Sequence, residues 1–195
     1  MEFRRARPED VSAILKLQAA NFIGNLAPQD RQYGFLSAEF TPEQIAAMVK
    51  DPGVIVASDQ GSVVAFLCAS RRDFDHQSPV IARMIEQLDR VYLRGRILSS
   101  YNAFIYGPVC IDRSQRGRGL LRGLYETLTR EVSGRFEVGV AFVARENEPS
   151  LKARIQGLGM VEVGRFECRD TEYVIVAFSV APVPSSLAVL GSLME

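Results

Sequence analysis

The sequence predicts an α/β protein built on one mixed sheet of about seven strands, and three observations carry that reading. Short runs rich in β-branched and apolar residues alternate with segments whose apolar residues recur at helical spacing. Residues 54–58 and 62–70 flank Asp59-Gln60-Gly61 as an antiparallel hairpin. Residues 104–144 read as strand, glycine-rich turn, helix and strand, a crossover that makes one pair of strands parallel.

Residues 2–6 form the opening strand. Pro8, Glu9 and Asp10 suit a first helical turn ahead of Val11, Ile14, Leu15 and Leu17, so a helix runs to about Phe22. Residues 24–40 mix Gly, Pro, Asn and aromatics without a period. Thr41 is an N-cap before Pro42 and Glu43, and Ile45, Met48 and Val49 extend that helix to about Lys50. Asp51-Pro52-Gly53 turns into the hairpin. Residues 71–100 begin polar and then place Val80, Ile81, Met84, Ile85, Leu88, Val91 and Tyr92 at helical spacing, which predicts an inserted helix forming a lid or wall. Strands follow at 104–112 and 137–144, separated by a helix from Gly119 to about Val132 with Leu120, Leu121, Leu124 and Leu128 on one side. Residues 147–158 read as a helix stopped by Gly159, and 161–168 and 172–180 as closing strands. The Pro- and Ser-rich residues 181–195 read as a peripheral tail to a single domain over 1–180.

With 195 residues, 47% of them hydrophobic, the chain can bury a core of its own. Its 23 basic residues balance 23 acidic ones, so no global field draws it to nucleic acid or a membrane surface, and neither partner is expected. Arg83, Arg90, Arg94 and Arg96 lack the interleaved aromatics of a base-stacking platform and read as a solvated face. Cys68, Cys110 and Cys168 lie far apart in apolar runs, and His76 is the only histidine, so neither a disulfide framework nor a metal site is expected. No apolar segment follows the charged start, and runs such as 63–69 are too short to span a bilayer; the expectation is a cytoplasmic protein.

The chemistry concentrates where the strand ending Cys110-Ile111-Asp112 runs through Arg113-Ser114-Gln115 into Arg116-Gly117-Arg118-Gly119-Leu120-Leu121 and the Leu-rich helix. The first amides of a helix have no intrahelical acceptor and sit at the positive end of the macrodipole, so they can bind a diphosphate if no side chain blocks it. Gly117 and Gly119 remove that block, and Arg116 and Arg118 are placed to give forked hydrogen bonds to phosphate oxygens. The Walker loop is excluded because no Gly-Lys-Ser/Thr occurs, and the dinucleotide fingerprint because position 122 is Arg122. Pro108 removes a ladder donor from the preceding strand, which suits a strand unpaired on one side as well as an ordinary bulge.

In this context Arg116, Gly119 and Leu121 resemble the Arg/Gln-x-x-Gly-x-Gly/Ala signature of the GNAT superfamily of N-acetyltransferases, with Leu121 replacing the last small residue. Asn147 and Ser150, followed by Leu158-Gly159-Met160, resemble that family's Asn-x-x-Ala/Ser and Leu-Gly-Phe elements. The resemblance covers roughly residues 2–180. It implies an acyl-CoA N-acyltransferase fold whose fourth and fifth strands splay apart, with acetyl-CoA as cosubstrate and no metal. It implies a coenzyme site at Val109, Cys110, Ile111, Arg116, Gly117, Arg118, Gly119, Leu120, Leu121, Asn147 and Ser150, with an oxyanion donor in the backbone near Cys110 or Ile111. Residues 24–40 and 71–100 would face the acceptor, a small-molecule or peptide amine, and a homodimer is in keeping with the fold.

Attack on a thioester needs a neutral amine, a stabilised oxyanion and often an acid for the departing thiolate. The family often supplies a tyrosine one turn before Leu-Gly-Phe, where this chain has Arg154 and Ile155. Tyr173 is the first substitute considered, with Tyr106 and Tyr101 behind it. Glu146 is the first base considered, with Asp112 and the Asp73, Asp75 and His76 cluster behind it. Two readings of function remain open: an N-acetyltransferase working by direct attack, or a non-catalytic acyl-CoA sensor of the same fold.

Overall fold

The computed structural model describes residues 1–75 and 77–180. Seven strands form one sheet: β1 (Glu2–Arg5), β2 (Gly53–Asp59), β3 (Ser62–Arg71), β4 (Ala103–Ile111), β5 (Val138–Ala144), β6 (Val161–Cys168) and β7 (Thr171–Ser179). Their order is β1-β2-β3-β4-β5-β7-β6, with every neighbouring pair antiparallel except β4 and β5.

The alternation of side chains along the strands sorts the apolar residues onto two faces. Ile55, Ala57, Leu67, Phe104, Val174 and Val176 face α4 (Leu120–Val132), whose Leu120, Leu124 and Leu128 recur every fourth residue and are buried against them. Leu151, Ile155 and Leu158, in and just after α5 (Glu148–Lys152), join the same cluster. The opposite face takes α1 (Val11–Asn21) and α2 (Pro42–Lys50) over Val54, Val56, Phe66 and Cys68. Alongside them α3 (Pro79–Gln87) covers Ile105, Val140 and Ile175. The result is helices on both sides of a mixed sheet.

Local chemistry sets the element ends. Thr41 Oγ1 accepts from the Gln44 amide at 3.2 Å while Gln44 Oε1 accepts from the Thr41 amide at 2.9 Å, a reciprocal cap that starts α2 ahead of Pro42. The sequence reading is corrected in the insertion. The helical pattern of 80–92 ends at Gln87, and a small hairpin follows, pairing Tyr92–Leu93 with Arg96–Ile97. The helical period runs on past Gln87 because Leu88 and Val91, which lead into the hairpin, are buried in the same cluster as Val80 and Met84; Tyr92 is exposed, and Arg94 and Gly95, both at positive φ, make the hairpin turn. The helix expected over 147–158 also departs from a regular α-helix, because α5 runs into a π-turn at Ala153–Gly157 before Gly159 stops it. The expected tail, 181–195, and His76 lie outside the described residues.

One feature of the sheet positions the site. β4 and β5 pair only through Ala103 with Val138, Phe104 with Gly139 and Ile105 with Val140. Both strands continue, β4 to Ile111 and β5 to Ala144, but they diverge. On the other side of β4, the register against β3 shifts where Gly107 and Pro108 stand, since Ala69 faces Tyr106 and Leu67 faces Val109. Pro108 therefore sits at a bulge and also borders an unpaired edge.

Candidate functional site

The cleft opened by the splayed strands holds two adjoining cavities. The outer one, about 450 Å³, is walled by Val109, Cys110 and Ile111 of β4, by Tyr33 to Leu36, and by Ser150, Ala153 and Arg154. Its remaining wall is the turn into α4: Gln115, Arg116, Gly117, Gly119, Leu120 and Leu121. The inner one, about 70 Å³, lies among Tyr106 to Val109 of β4, Phe142 to Ala144 of β5, Phe35 to Ala38, Phe40, Ile81 of α3, Asn147, Ser150 and Arg154. Phe35, Leu36, Val109, Ser150 and Arg154 border both, and so mark the passage between them.

The glycine turn has the geometry expected of an anion seat. Gly119 is the N-cap residue of α4 with φ +79°, Gly117 has φ +75°, and a Cβ at either position would meet no atom within 4 Å. These left-handed conformations favour glycine, and the free space over them is cavity rather than packed side chain. A 13-residue helix begins there, so its unpaired first amides open toward the outer cavity.

The two arginines behave differently from the sequence expectation. Arg116 donates through Nε to the Ile111 carbonyl at 3.2 Å, through Nη2 to Asn21 Oδ1 at 2.7 Å, and through Nη1 to the Tyr33 carbonyl. Its guanidinium is thus a clamp tying the glycine turn to α1 and to the segment before Gly34; it contributes charge to the wall, while its fork is spent on protein acceptors. Arg118 donates to Gln115 Oε1, is exposed, and borders neither cavity. It stands at the outer rim, where its charge was expected.

The other expected residues divide. Val109, Cys110, Ile111, Gly117, Gly119, Leu120, Leu121 and Ser150 come together around the outer cavity. Asn147 borders the inner one, where its Nδ2 donates to the Phe35 carbonyl at 3.0 Å. Tyr173 and Glu146 border neither cavity. The Tyr173 ring stacks on Phe166 with centroids 5.2 Å apart, and burial raises its phenol above the usual pKa. Glu146 is exposed in the turn after β5. Asp112 spends its carboxylate on Ser114, accepting from the Ser114 hydroxyl at 2.6 Å and amide at 2.8 Å, bonds that hold its pKa below the usual range. Asp73 and Asp75 are exposed and away from both cavities. Among the described residues no Asp, Glu or His borders either cavity, and no group of three or more His, Cys, Asp or Glu could hold a metal.

The residue that sequence reasoning undervalued is Arg154. It is 8% exposed, donates through Nη1 to Ser150 Oγ and to the Ser150 carbonyl at 3.3 Å, and leaves Nε without a partner. No carboxylate pairs with it among the described residues, and the Tyr106 ring lies 5.9 Å from the guanidinium carbon. Burial pushes its pKa below the usual arginine value. The signal was in the sequence: Arg154 stands on the apolar stripe of Leu151, Ile155 and Leu158, where a charge needs a reason.

Buried side-chain polar atoms nearly always have partners. Among the described residues three have none: the Tyr106 hydroxyl, Asn147 Oδ1 and Arg154 Nε. All three belong to residues that border the inner cavity. Burial also keeps the Tyr106 phenol protonated well above its usual pKa. The residues lining this pocket thus bring a phenol hydroxyl, a carboxamide and a guanidinium to its wall, groups able to hold a polar ligand.

No protein-family model matches the chain, and no curated protein matches it in sequence. Solved structures do match its fold. An acetyltransferase of the GNAT family from Streptococcus agalactiae is 14% identical, with 93% of this chain and 96% of that one covered and a TM-score of 0.63. A ribosomal-protein-alanine N-acetyltransferase from Brucella melitensis is 17% identical, with 92% and 99% covered and a TM-score of 0.61. The yncA protein of Salmonella typhimurium, solved with its cofactor acetyl-CoA, is 15% identical, with 92% and 94% covered and a TM-score of 0.59. Seven strands in this order, the parting of β4 from β5 and the glycine turn between them thus give the chain the fold of the GNAT N-acetyltransferases.

Proposed function

We propose that this chain is an acetyl-CoA-dependent N-acetyltransferase that acylates a primary amine by direct attack. The observation that carries the reading is the coincidence of two independent features in one cleft. A helix-start anion seat opens on the outer cavity, and all three unpartnered buried polar atoms stand around the inner one. A ligand spanning both would be anionic at one end and polar at the other, as acetyl-CoA is.

The residues fit the cosubstrate. The amides after Gly117 and Gly119 would receive its pyrophosphate. The edge of β4 from Val109 to Ile111, which β5 leaves unpaired, offers backbone groups to the pantetheine amides, and Asn147 Oδ1 is an acceptor on the same path. The Tyr106 hydroxyl, held protonated, is a donor for oxygen charge developing at the acyl carbon. The amine's proton leaves to solvent, because no Asp, Glu or His among the described residues borders either cavity to accept it. The acceptor, a small-molecule or peptide amine, enters from the side of Phe40 and Ile81.

That shortage of acid–base groups also favours a second reading, an acyl-CoA-binding sensor without turnover. Two measurements separate them. Acetyl-CoA should raise the melting temperature through preferential binding to the native state, and Gly119→Glu, which sets a carboxylate on the anion seat, should abolish that rise. An undiminished rise in the variant would refute the site. Thiol release from acetyl-CoA, screened against amines, amino acids, aminoglycosides and ribosomal peptides, would establish the enzyme; binding with no release from any acceptor would leave the sensor.

A further inference from the structure

A buried guanidinium without a carboxylate is costly, since removing a charge from water is repaid only by an opposite charge or a full set of hydrogen bonds. Arg154 has neither in this structure. It is held in place by the Ser150 carbonyl and hydroxyl one turn before it, and it is carried on a π-turn, a distortion that aims side chains out of the regular helical pattern and recurs at functional sites. It is also one of five residues shared by the two cavities. A cation fixed at that passage is arranged for an anion that arises there.

On the reading above, which this inference deepens, one end of the ligand is fixed by the glycine turn and the acceptor reaches it from the inner cavity. The thioester then lies at the passage, and the anion formed there is the leaving thiolate. We propose that Arg154 is a catalytic residue that stabilises the departing coenzyme A thiolate as an ion pair, without transferring a proton. The amine nitrogen forms a bond to the acyl carbon as the carbon–sulfur bond breaks. The sulfur keeps the electron pair, the nitrogen loses its proton to solvent, and Arg154 remains a guanidinium throughout, because arginine does not deprotonate in proteins even when burial lowers its pKa. The arrangement replaces general acid catalysis: no Asp, Glu or His among the described residues borders either cavity, and burial raises the Tyr106 phenol well above its usual pKa, which makes it a poor proton donor to the thiolate.

The test is the affinity of the full chain for free CoA, which carries the thiol, compared with acetyl-CoA, which does not, measured by calorimetry across neutral to alkaline pH. A bound thiol whose pKa is held below that of free CoA makes CoA bind more tightly as pH rises toward the free value, roughly ten-fold for each unit of depression. Wild type should show this rise for CoA and not for acetyl-CoA, together with thiolate absorbance of bound CoA near neutral pH. Arg154→Gln should flatten the CoA profile, leave acetyl-CoA affinity within about two-fold, and melt no lower than wild type, because it removes an unpaired buried charge. Parallel profiles for the two ligands in wild type would overturn the proposal while leaving the coenzyme site intact, and that arm needs no variant. An Arg154→Gln profile as steep as wild type would also overturn it. Failure of both ligands to bind would overturn the proposed function itself.

Discussion

Replacing Arg116 by alanine separates two roles that the sequence could not distinguish. If the guanidinium is a clamp, its loss removes three hydrogen bonds at once: 3.2 Å to the Ile111 carbonyl, 2.7 Å to Asn21 Oδ1, and the bond to the Tyr33 carbonyl. The first two are partly buried and are worth about 1 kcal/mol each, the exposed third a few tenths, and leaving the buried Asn21 oxygen unpaired adds to the loss, for a total of about 2–3 kcal/mol. In a domain of this size each kcal/mol moves the melting temperature by about 2–4 °C, so Arg116→Ala should melt about 4–12 °C lower. Arg116→Lys should recover little, since one ammonium cannot reach three diverging acceptors. Thermal unfolding with and without acetyl-CoA reads both effects, and acetyl-CoA should still stabilise the variant, though less. An Arg116→Ala protein that melts like wild type yet has lost the whole ligand-induced shift would refute the clamp and place the guanidinium on the phosphates.

Three further outcomes follow from the packing and the charges. A Cβ on Gly139 would stand 2.2 Å from Phe178 Cζ and 2.9 Å from Phe104 Cζ, so Gly139→Ala should cost about 1–3 kcal/mol in urea unfolding, and an unshifted midpoint would contradict the packing at the root of the splayed strands. Asp10 accepts from Arg4 at 2.7 Å and from the Arg7 amide at 2.8 Å, and the Arg4 bond above all holds its pKa below the usual value. A depressed folded pKa stabilises fully above the unfolded value of about 3.9 and loses that contribution as pH falls through the folded one, so Asp10→Asn should be less stable than wild type at neutral pH and converge with it in strong acid. Parallel stability curves would argue against the pair. Cys110 is buried and its thiol is pushed up to about 12, whereas Cys168 is only partly buried; alkylation of the native chain should therefore modify Cys168 first, and equal rates at the two would show that the β4 wall opens.

Pattern was enough to find every strand of the sheet, because the central ones are short apolar runs bounded by turn residues and β6 alternates polar and apolar residues. It failed where two structures bury the same residues: Leu88 and Val91 fit a helical stripe, yet the positive φ of Arg94 and Gly95 turns the chain into a hairpin over the same core. The glycine turn was legible for a different reason. Its function depends on backbone amides at a helix start, and those follow from local sequence alone.

Side-chain roles were less legible, because they depend on which neighbours the fold supplies. Arg116 reads as a phosphate ligand until Asn21 and the Tyr33 and Ile111 carbonyls, distant in sequence, take its donors. Tyr173 reads as an acid until Phe166 stacks on it, away from both cavities. Arg154 occupies the window where a tyrosine was looked for, and only the π-turn, the shared wall of two cavities and the lack of any carboxylate partner among the described residues give it a meaning. The sequence by itself determined the order of elements, the crossover and the glycine turn at the start of α4, since each is a local property of the chain. The tertiary structure alone decided where the strands part, which polar atoms are left unpaired there and which cation faces the gap, because burial and pairing depend on contacts between residues far apart in the chain.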